Sequence, residues 1–267
     1  MSLEEAAVHP EPPEMNADQA ADNPVASPCL SSLNALKAWP LTTVDGQNLR
    51  VSFAVDPVLD LRQSALAGHR VEARILDDAL GRELSGAQRR QLLPRDFCKV
   101  DLAALERGLS RLANVDRGGP PRLIIQLSFA SLSNSRARTA LIEKAGALPV
   151  QLRQGAICEL VDVESGIPVT RLLELHAMVK PFFRGVWLQV EPRRTLIETA
   201  KAARIQGLSV RAGDLGADTA SVAKGMRAFM GLVQNAAPVL TVTSLPHRDL
   251  TVEAMAAGFT HATLRAA

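Results

Sequence analysis

The sequence predicts an α/β fold, a (β/α)8 TIM-like barrel behind an acidic N-terminal tail. Three observations predict it. From residue 49 to the C-terminus, short apolar runs alternate with amphipathic segments, the pattern of strand and helix in strict succession. The apolar runs are rich in Val, Ile and Leu, as expected of strands covered on both faces. No Gly-rich phosphate loop follows the first strand, which counts against the alternative of an open doubly wound sheet. At 267 residues and 47% hydrophobic, the chain is long enough to bury one large α/β core.

Residues 1–45 read as a disordered acidic, Pro-rich tail, because "HPEPPEMNADQAADNPVASP" offers too few large apolar groups to offset the entropy of ordering. Near its end, "SSLNALKAWP" reads as a short helix, with Leu33, Leu36 and Trp39 on one face and Pro40 closing it. Residues 46–267 read as the barrel domain. "RVSFAVDPVLDL" and "HRVEARIL" are its first two strands, joined by a loop through Gly68. "DFCKVDLAALERGLSRLA" holds a helix whose stripe is Leu102, Leu105, Leu109 and Leu112. "PRLIIQLS" is a strand and "NSRARTALIEKAG" a helix; "AICELVDV" is a strand and "VTRLLELHAMVKPFF" a helix that Pro181 ends. "GVWLQVEP" leads to "TLIETAKAARIQG", a helix capped by Gly207. "LSVRAGD" leads to "TASVAKGMRAFMGLVQNA", "PVLTVTS" to "TVEAMAAG", and "HATLR" closes the chain.

Bulk composition excludes several classes. The net charge of +2 argues against a nucleic-acid or membrane-surface binder. Its distribution is uneven. Residues 1–36 hold Glu4, Glu5, Glu11, Glu14, Asp18 and Asp22 and no base, which leaves the barrel mildly basic. Cys29, Cys98 and Cys158 have no metal-ligand or disulfide spacing, as for reduced cytosolic thiols. No signal peptide or membrane-length apolar run is apparent, so the expected compartment is the cytoplasm.

In a (β/α)8 barrel, function sits at the C-terminal ends of the strands. Those ends offer Glu72 and Arg74, Gln126 and Ser128, Glu159 and Asp162, Glu191, Asp214, and Ser244 with His247. Carboxylates converging from separate strands suit Mg²⁺ or Ca²⁺, though each also has an ordinary reading as an ion-paired loop residue. "GHRVEARIL" is the most informative run. Alternation puts Arg70, Glu72 and Arg74 on one face and Val71, Ala73 and Ile75 on the other. A charged face inside a barrel needs partners or a pocket. The basic run "GRELSGAQRRQLLPRD" reads as a solvated helix face or a surface for an acidic partner.

Three segments carry a family resemblance. "FAVDPVLDLRQSALAGHRVEARIL", "LIIQLSFASL" and "ICELVDVESG" resemble, in order and spacing, the first three motifs of the EAL-domain family, cyclic di-GMP phosphodiesterases of bacterial signalling. The resemblance spans residues 49–267 and beyond these segments rests on element order alone. It implies an EAL-type barrel whose metal ligands are drawn from the strand ends. Glu72 stands at the Glu of Glu-Ala-Leu, Gln126 at the family's Asn, and Glu159 at the first Glu of the next motif. The departures are as informative. Val190 and Glu191 stand near where an Asp pair belongs, Arg211 is the base nearest a family Lys, Asp214 has no secure counterpart, and "LTVTSLP" lacks a Glu. Asp56 replaces a signature Gln, and Leu76 stands where an Arg binds ligand phosphate.

Two-metal hydrolysis needs several oxygen ligands per ion, and two retained carboxylates are too few. The chain is therefore expected to be a catalytically inactive, degenerate member with no cofactor, its vestigial ligand site comprising Glu72, Arg74, Gln126, Glu159 and Asp214. The expected pairing within that site is Arg74 with Glu72, a guanidinium standing in for metal charge. The expected role is binding an unidentified protein partner, with residual cyclic di-GMP binding, and with no nucleic acid or membrane partner. The alternative is an Mg²⁺- or Mn²⁺-dependent phosphodiesterase with a rearranged site. The sequence leaves oligomeric state open.

Overall fold

The computed structural model describes residues 38–114, 123–147 and 149–265. The tail through residue 37, with Leu33, Leu36 and Cys29, lies outside them, as do the side chains of Leu109 and Leu112. The chain runs β1 (Trp39–Thr42), β2 (Asn48–Asp60), β3 (Ala65–Asp77), β4 (Arg82–Glu83), α1 (Gly86–Arg89), α2 (Pro94–Asn114), β5 (Leu123–Ser128), α3 (Phe129–Ser133), α4 (Ser135–Gly146) and α5 (Val150–Gly155). It continues through β6 (Ala156–Val161), α6 (Val169–Val179) with a 3-10 turn over Lys180–Phe182, β7 (Gly185–Gln189), α7 (Arg194–Ala202), β8 (Gly207–Arg211), α8 (Ala212–Leu215), α9 (Thr219–Leu232), β9 (Val239–Leu245), α10 (Leu250–Ala257) and β10 (His261–Leu264). Among the described residues, no helix is long and apolar enough to cross a membrane.

Eight of the described strands close a barrel in the order β2, β3, β5, β6, β7, β8, β9, β10 and back to β2. The six pairings from β3 through β10 are parallel, but β2 is antiparallel to both its neighbours. Strict alternation therefore breaks at the first unit. The cause is the connection. Only Leu61–Ser64 separate β2 from β3, whereas a parallel crossover needs about a dozen residues. Asp60 fixes this turn by accepting from the Arg62 and Gln63 backbone N–H groups at 2.9 and 3.0 Å. Gly68, expected in that loop, lies instead within β3, where the β2–β3 register shifts.

Two other expectations need correction. Trp39, expected on the face of a short helix that Pro40 closes, lies on no helix. It begins β1, which pairs with β2 from Trp39↔Val51 to Thr42↔Asn48, so ordered sheet starts before residue 46. Pro40 is tolerated because, among the described residues, β1 has no second neighbour needing its missing N–H. The helix after β7 ends at Ala202 rather than at Gly207; Arg204 at φ +52° makes the reversal, and Gly207 opens β8.

The core follows from alternation. Outward side chains such as Ile125, Leu127, Leu160, Leu188, Val210 and Val242 are buried beneath the helices. Inward side chains sort by depth. Near the floor, where the parallel strands begin, Val58, Ile124, Ile157 and Trp187 form an apolar cluster. Above it Asp56, Arg70, Gln126, Glu159, Ser209, Thr241 and Thr263 make a buried polar layer.

Asp101 of α2 ties that helix to the top of the barrel. Its Oδ2 accepts from the Ser128 backbone N–H at 3.0 Å and from Ser128 Oγ at 2.8 Å, and Ser128 in turn caps α3. Burial pushes the Asp101 carboxyl up from 3.8 to about 6, against the pull of these hydrogen bonds. The folded state thus holds a proton there that the unfolded chain releases near 3.8, so stability falls as pH rises from about 4 through 6. Asp101→Asn should flatten that decline, gaining on the wild type between about pH 4 and pH 7 in urea-unfolding series. Parallel pH profiles for the two proteins would refute it.

Candidate functional site

Side-chain parity along β3 sends Arg70 and Glu72 into the lumen, and parity along β5, β6, β7 and β8 sends Gln126, Glu159, Gln189 and Ser209 to meet them. The result is one hydrogen-bonded network. Arg70 Nε donates to Glu159 Oε2 at 2.8 Å, and Arg70 Nη1 donates to Glu72 Oε2 at 2.7 Å. Glu159 also accepts from Gln126 Nε2 at 3.0 Å and from Ser209 Oγ. Arg211 Nη2 pairs with the other oxygen of Glu72 at 3.1 Å. The Gln189 amide oxygen, in the orientation that suits its neighbours, accepts from Arg70 Nη2 at 3.1 Å and Arg211 Nε at 3.2 Å. Asp56, fully buried, sits in register with Arg70 on β2.

The side chains of Arg70 and Glu159 are wholly buried and that of Glu72 is 9% exposed. Burial alone would raise the Glu72 carboxyl; the Arg70 and Arg211 guanidiniums outweigh it and hold it at about 2, below its ordinary 4.5. For Arg70, burial disfavours the charge, and Glu159 and Glu72 together reverse that and raise its pKa.

Arginine also meets the carboxylates nearer the mouth. Arg89 reaches Asp162 at 3.1 Å while its Nη1 donates to the Ala73 carbonyl at 3.1 Å, which fixes α1 over the β2–β3 hairpin. Arg193 and Arg90 approach Glu191 at 2.9 and 3.4 Å. Asp162 and Ser244, at the ends of β6 and β9, have φ of +56° and +58°, a strained backbone of the kind that accompanies functional strand ends.

The structure thus brings Glu72, Gln126 and Glu159 together and leaves Arg74 and Asp214 out of the network. The expected Arg74–Glu72 pairing is replaced by Arg70–Glu72. Both arginines lie two residues from Glu72 on the same face, but Arg70 is on the floor side, within the stretch of β3 that pairs with β5 and in reach of Glu159, whereas Arg74 lies beyond that stretch and is partly exposed. Asp214 stands exposed on α8. Partial desolvation raises its carboxyl, with Arg211 opposing and Glu191 adding to the effect. Arg70, Gln189 and Ser209 were the residues that sequence reading missed. Strand alternation in "HRVEAR" and "WLQVEP" carried the signal for Arg70 and Gln189, and Val190, which stands near where the resemblance puts an Asp pair, is buried on the other face.

A pair of divalent cations does not fit this donor set. Glu72 and Glu159 already accept from guanidinium groups, and among the described residues no three His, Cys, Asp or Glu side chains lie close enough to hold an ion together.

No family model matches the chain, and no curated protein matches it. Solved structures do. The LapD S helix-GGDEF-EAL of Vibrio cholerae in its apo form superposes with a TM-score of 0.61 at 9% identity, over 80% of this chain and 52% of that one. This chain therefore spans about half the length of that neighbour. The FimX EAL domain from Pseudomonas aeruginosa bound to c-di-GMP gives 0.58 at 13% identity, over 80% of this chain and 88% of that one. An EAL domain protein from Listeria monocytogenes EGD-e gives 0.56 at 10% identity, over 80% and 85%. The fold is of the EAL type.

Arg70→Met would leave two buried carboxylates without their shared cation, at a cost of about 3–5 kcal/mol near neutral pH. In the wild type the Glu72 contribution is fully present above about 4.5 and is lost as pH falls through about 2. The gap between wild type and variant in urea unfolding should therefore narrow as pH falls over that interval. A gap that stays constant would remove Arg70 as the counter-ion.

Proposed function

We propose that this chain is an EAL-type barrel that has lost hydrolysis and acts in bacterial signalling as a protein-interaction module in the cytoplasm. One observation carries the reading: the two carboxylates at the family's ligand positions, Glu72 and Glu159, are held by Arg70 and Arg211 within the barrel. Hydrolysis of a phosphodiester by paired cations requires oxygens free to bind metal and a water made acidic between them. Guanidinium groups supply positive charge without either property, since they neither accept a lone pair nor acidify water.

A second reading, retained cyclic di-GMP binding without turnover, is favoured by the mouth itself. Arg74, Arg90, Arg193 and Arg211 are all at least partly exposed there, and guanidinium forks match phosphate oxygens. The FimX EAL domain of Pseudomonas aeruginosa is one structural neighbour solved with c-di-GMP bound.

Two measurements test these readings together. Incubation of the full chain with cyclic di-GMP and Mg²⁺ or Mn²⁺ should give no linear dinucleotide above blank. Steady turnover would overturn the proposal in favour of a metal-dependent phosphodiesterase with a rearranged site. Calorimetry with cyclic di-GMP should give the same heat with and without Mg²⁺. Binding in both supports the receptor form, and a heat that appears only with the cation contradicts the loss of the metal site.

A further inference from the structure

The barrel is filled unevenly along its axis. At the floor, three lumen-facing positions are glycine: Gly68 beneath Arg70 on β3, Gly185 beneath Trp187 on β7, and Gly207 beneath Ser209 on β8. Barrel interiors of this kind are ordinarily packed with branched side chains in layers, so the fold does not require small residues here. Gly68 and Gly185 line a cavity of about 390 Å³. That exceeds the ~300 Å³ at which small-molecule sites begin.

The lining specifies a ligand class. Val58, Ile124, Ile157 and Val239 form apolar walls, and Trp187 contributes an aromatic one. Gly207 is what permits the indole to lie there, because a Cβ at that position would sit 2.6 Å from the ring. The His261 ring borders the same space, its centroid 6.2 Å from that of Trp187. The rim is polar. Gln206 is fixed by accepting from the Val186 N–H at 3.2 Å, and the exposed Arg184 stands one residue before β7. Arg184 lines the cavity and makes no ion pair with any described residue. A flat apolar body gains from the walls, and an anionic end gains a charge-assisted hydrogen bond at the rim.

We propose that the floor cavity is a binding site for a small planar aromatic monoanion, with its ring against Trp187 and its carboxylate on Arg184. The site lies at the opposite end of the lumen from Glu72 and owes nothing to the reading of the mouth.

The test uses 2-naphthoate and the uncharged 2-naphthalenemethanol as probes on the full chain. Calorimetry gives affinity, and ¹⁵N-tryptophan labelling gives location. The chain has two tryptophans, so Trp39→Phe assigns the Trp187 indole signal. Naphthoate should bind saturably with Kd below about 1 mM and shift that signal. Arg184→Glu should weaken naphthoate by about tenfold or more while leaving the alcohol within about twofold. Val239→Trp, which fills the cavity, should abolish both. Absence of saturable naphthoate binding to the wild type overturns the proposal, as does equal weakening of both probes by Arg184→Glu. Sedimentation supplies a further arm. A dimer that Val239→Trp dissociates and naphthoate does not would assign the cavity to a second copy of the chain and overturn the small-molecule site.

Discussion

A single guanidinium, that of Arg70, sets the terms for the interior of this barrel. Two carboxylates buried side by side repel and are poorly solvated, and each ion costs several kcal/mol to bury. A charge pair at about 4 Å returns roughly 4 kcal/mol at an effective dielectric of 20, so Coulomb attraction alone does not close the account. Geometry does. Arg70 spans from β3 to Glu159 on β6 while holding Glu72 on its own strand, and every oxygen of both carboxylates has a donor. Removing any one donor leaves a charge in a place where water cannot replace it.

The same logic continues toward the mouth. Asp162 and Glu191 are the next acids outward, and each is met by arginine from the α1 region or from the start of α7. The Asp162–Arg89 pair is largely buried and ties the hairpin, α1 and the end of β6 into one body. The Glu191 pairs are exposed and contribute little to stability. Their effect is on potential. Two guanidiniums meet the one carboxylate of Glu191, so these pairs add to the positive charge that Arg74 and Arg211 bring to the mouth. A surface of that kind recognises anions more readily than it gathers cations.

Much of the fold was legible because the period of two and the period of 3.6 alternate cleanly from β5 onward. The first unit was not, because a hairpin and a βα unit open with the same apolar run; only the shortness of the Leu61–Ser64 link separates them. The retained Glu72 and Glu159, and Gln126 at the family's Asn position, were readable from the resemblance and do meet in space. The counter-ion was misassigned for a definable reason. Alternation places Arg70 and Arg74 symmetrically about Glu72, and sequence carries no measure of depth. Depth decides it: Arg70 lies in the stretch of β3 that pairs with β5, which ends at Val71, and Arg74 lies three residues beyond it. Asp214, expected at a strand end, stands exposed on α8 because the chain turns into that helix directly after Arg211.

The two ends of the lumen are related through residue size. On β3, β7 and β8, each floor glycine lies below a plug residue or the ring that supports one: Gly68 below Arg70, Gly185 below Trp187 and then Gln189, Gly207 below Ser209. The long side chains Arg70, Gln189 and Gln126 fill the middle of the barrel and hydrogen-bond across it, so the section that closes the lumen is polar and rigid. With closure achieved at that level, the strands beneath it are relieved of packing the axis. Small residues there leave the network intact, because the hydrogen bonds that join Arg70, Glu72, Gln126, Glu159, Gln189 and Ser209 run between those side chains. A polar partition of this kind keeps an arginine-rich mouth and an apolar floor as separate surfaces on one barrel, each open to selection for its own ligand.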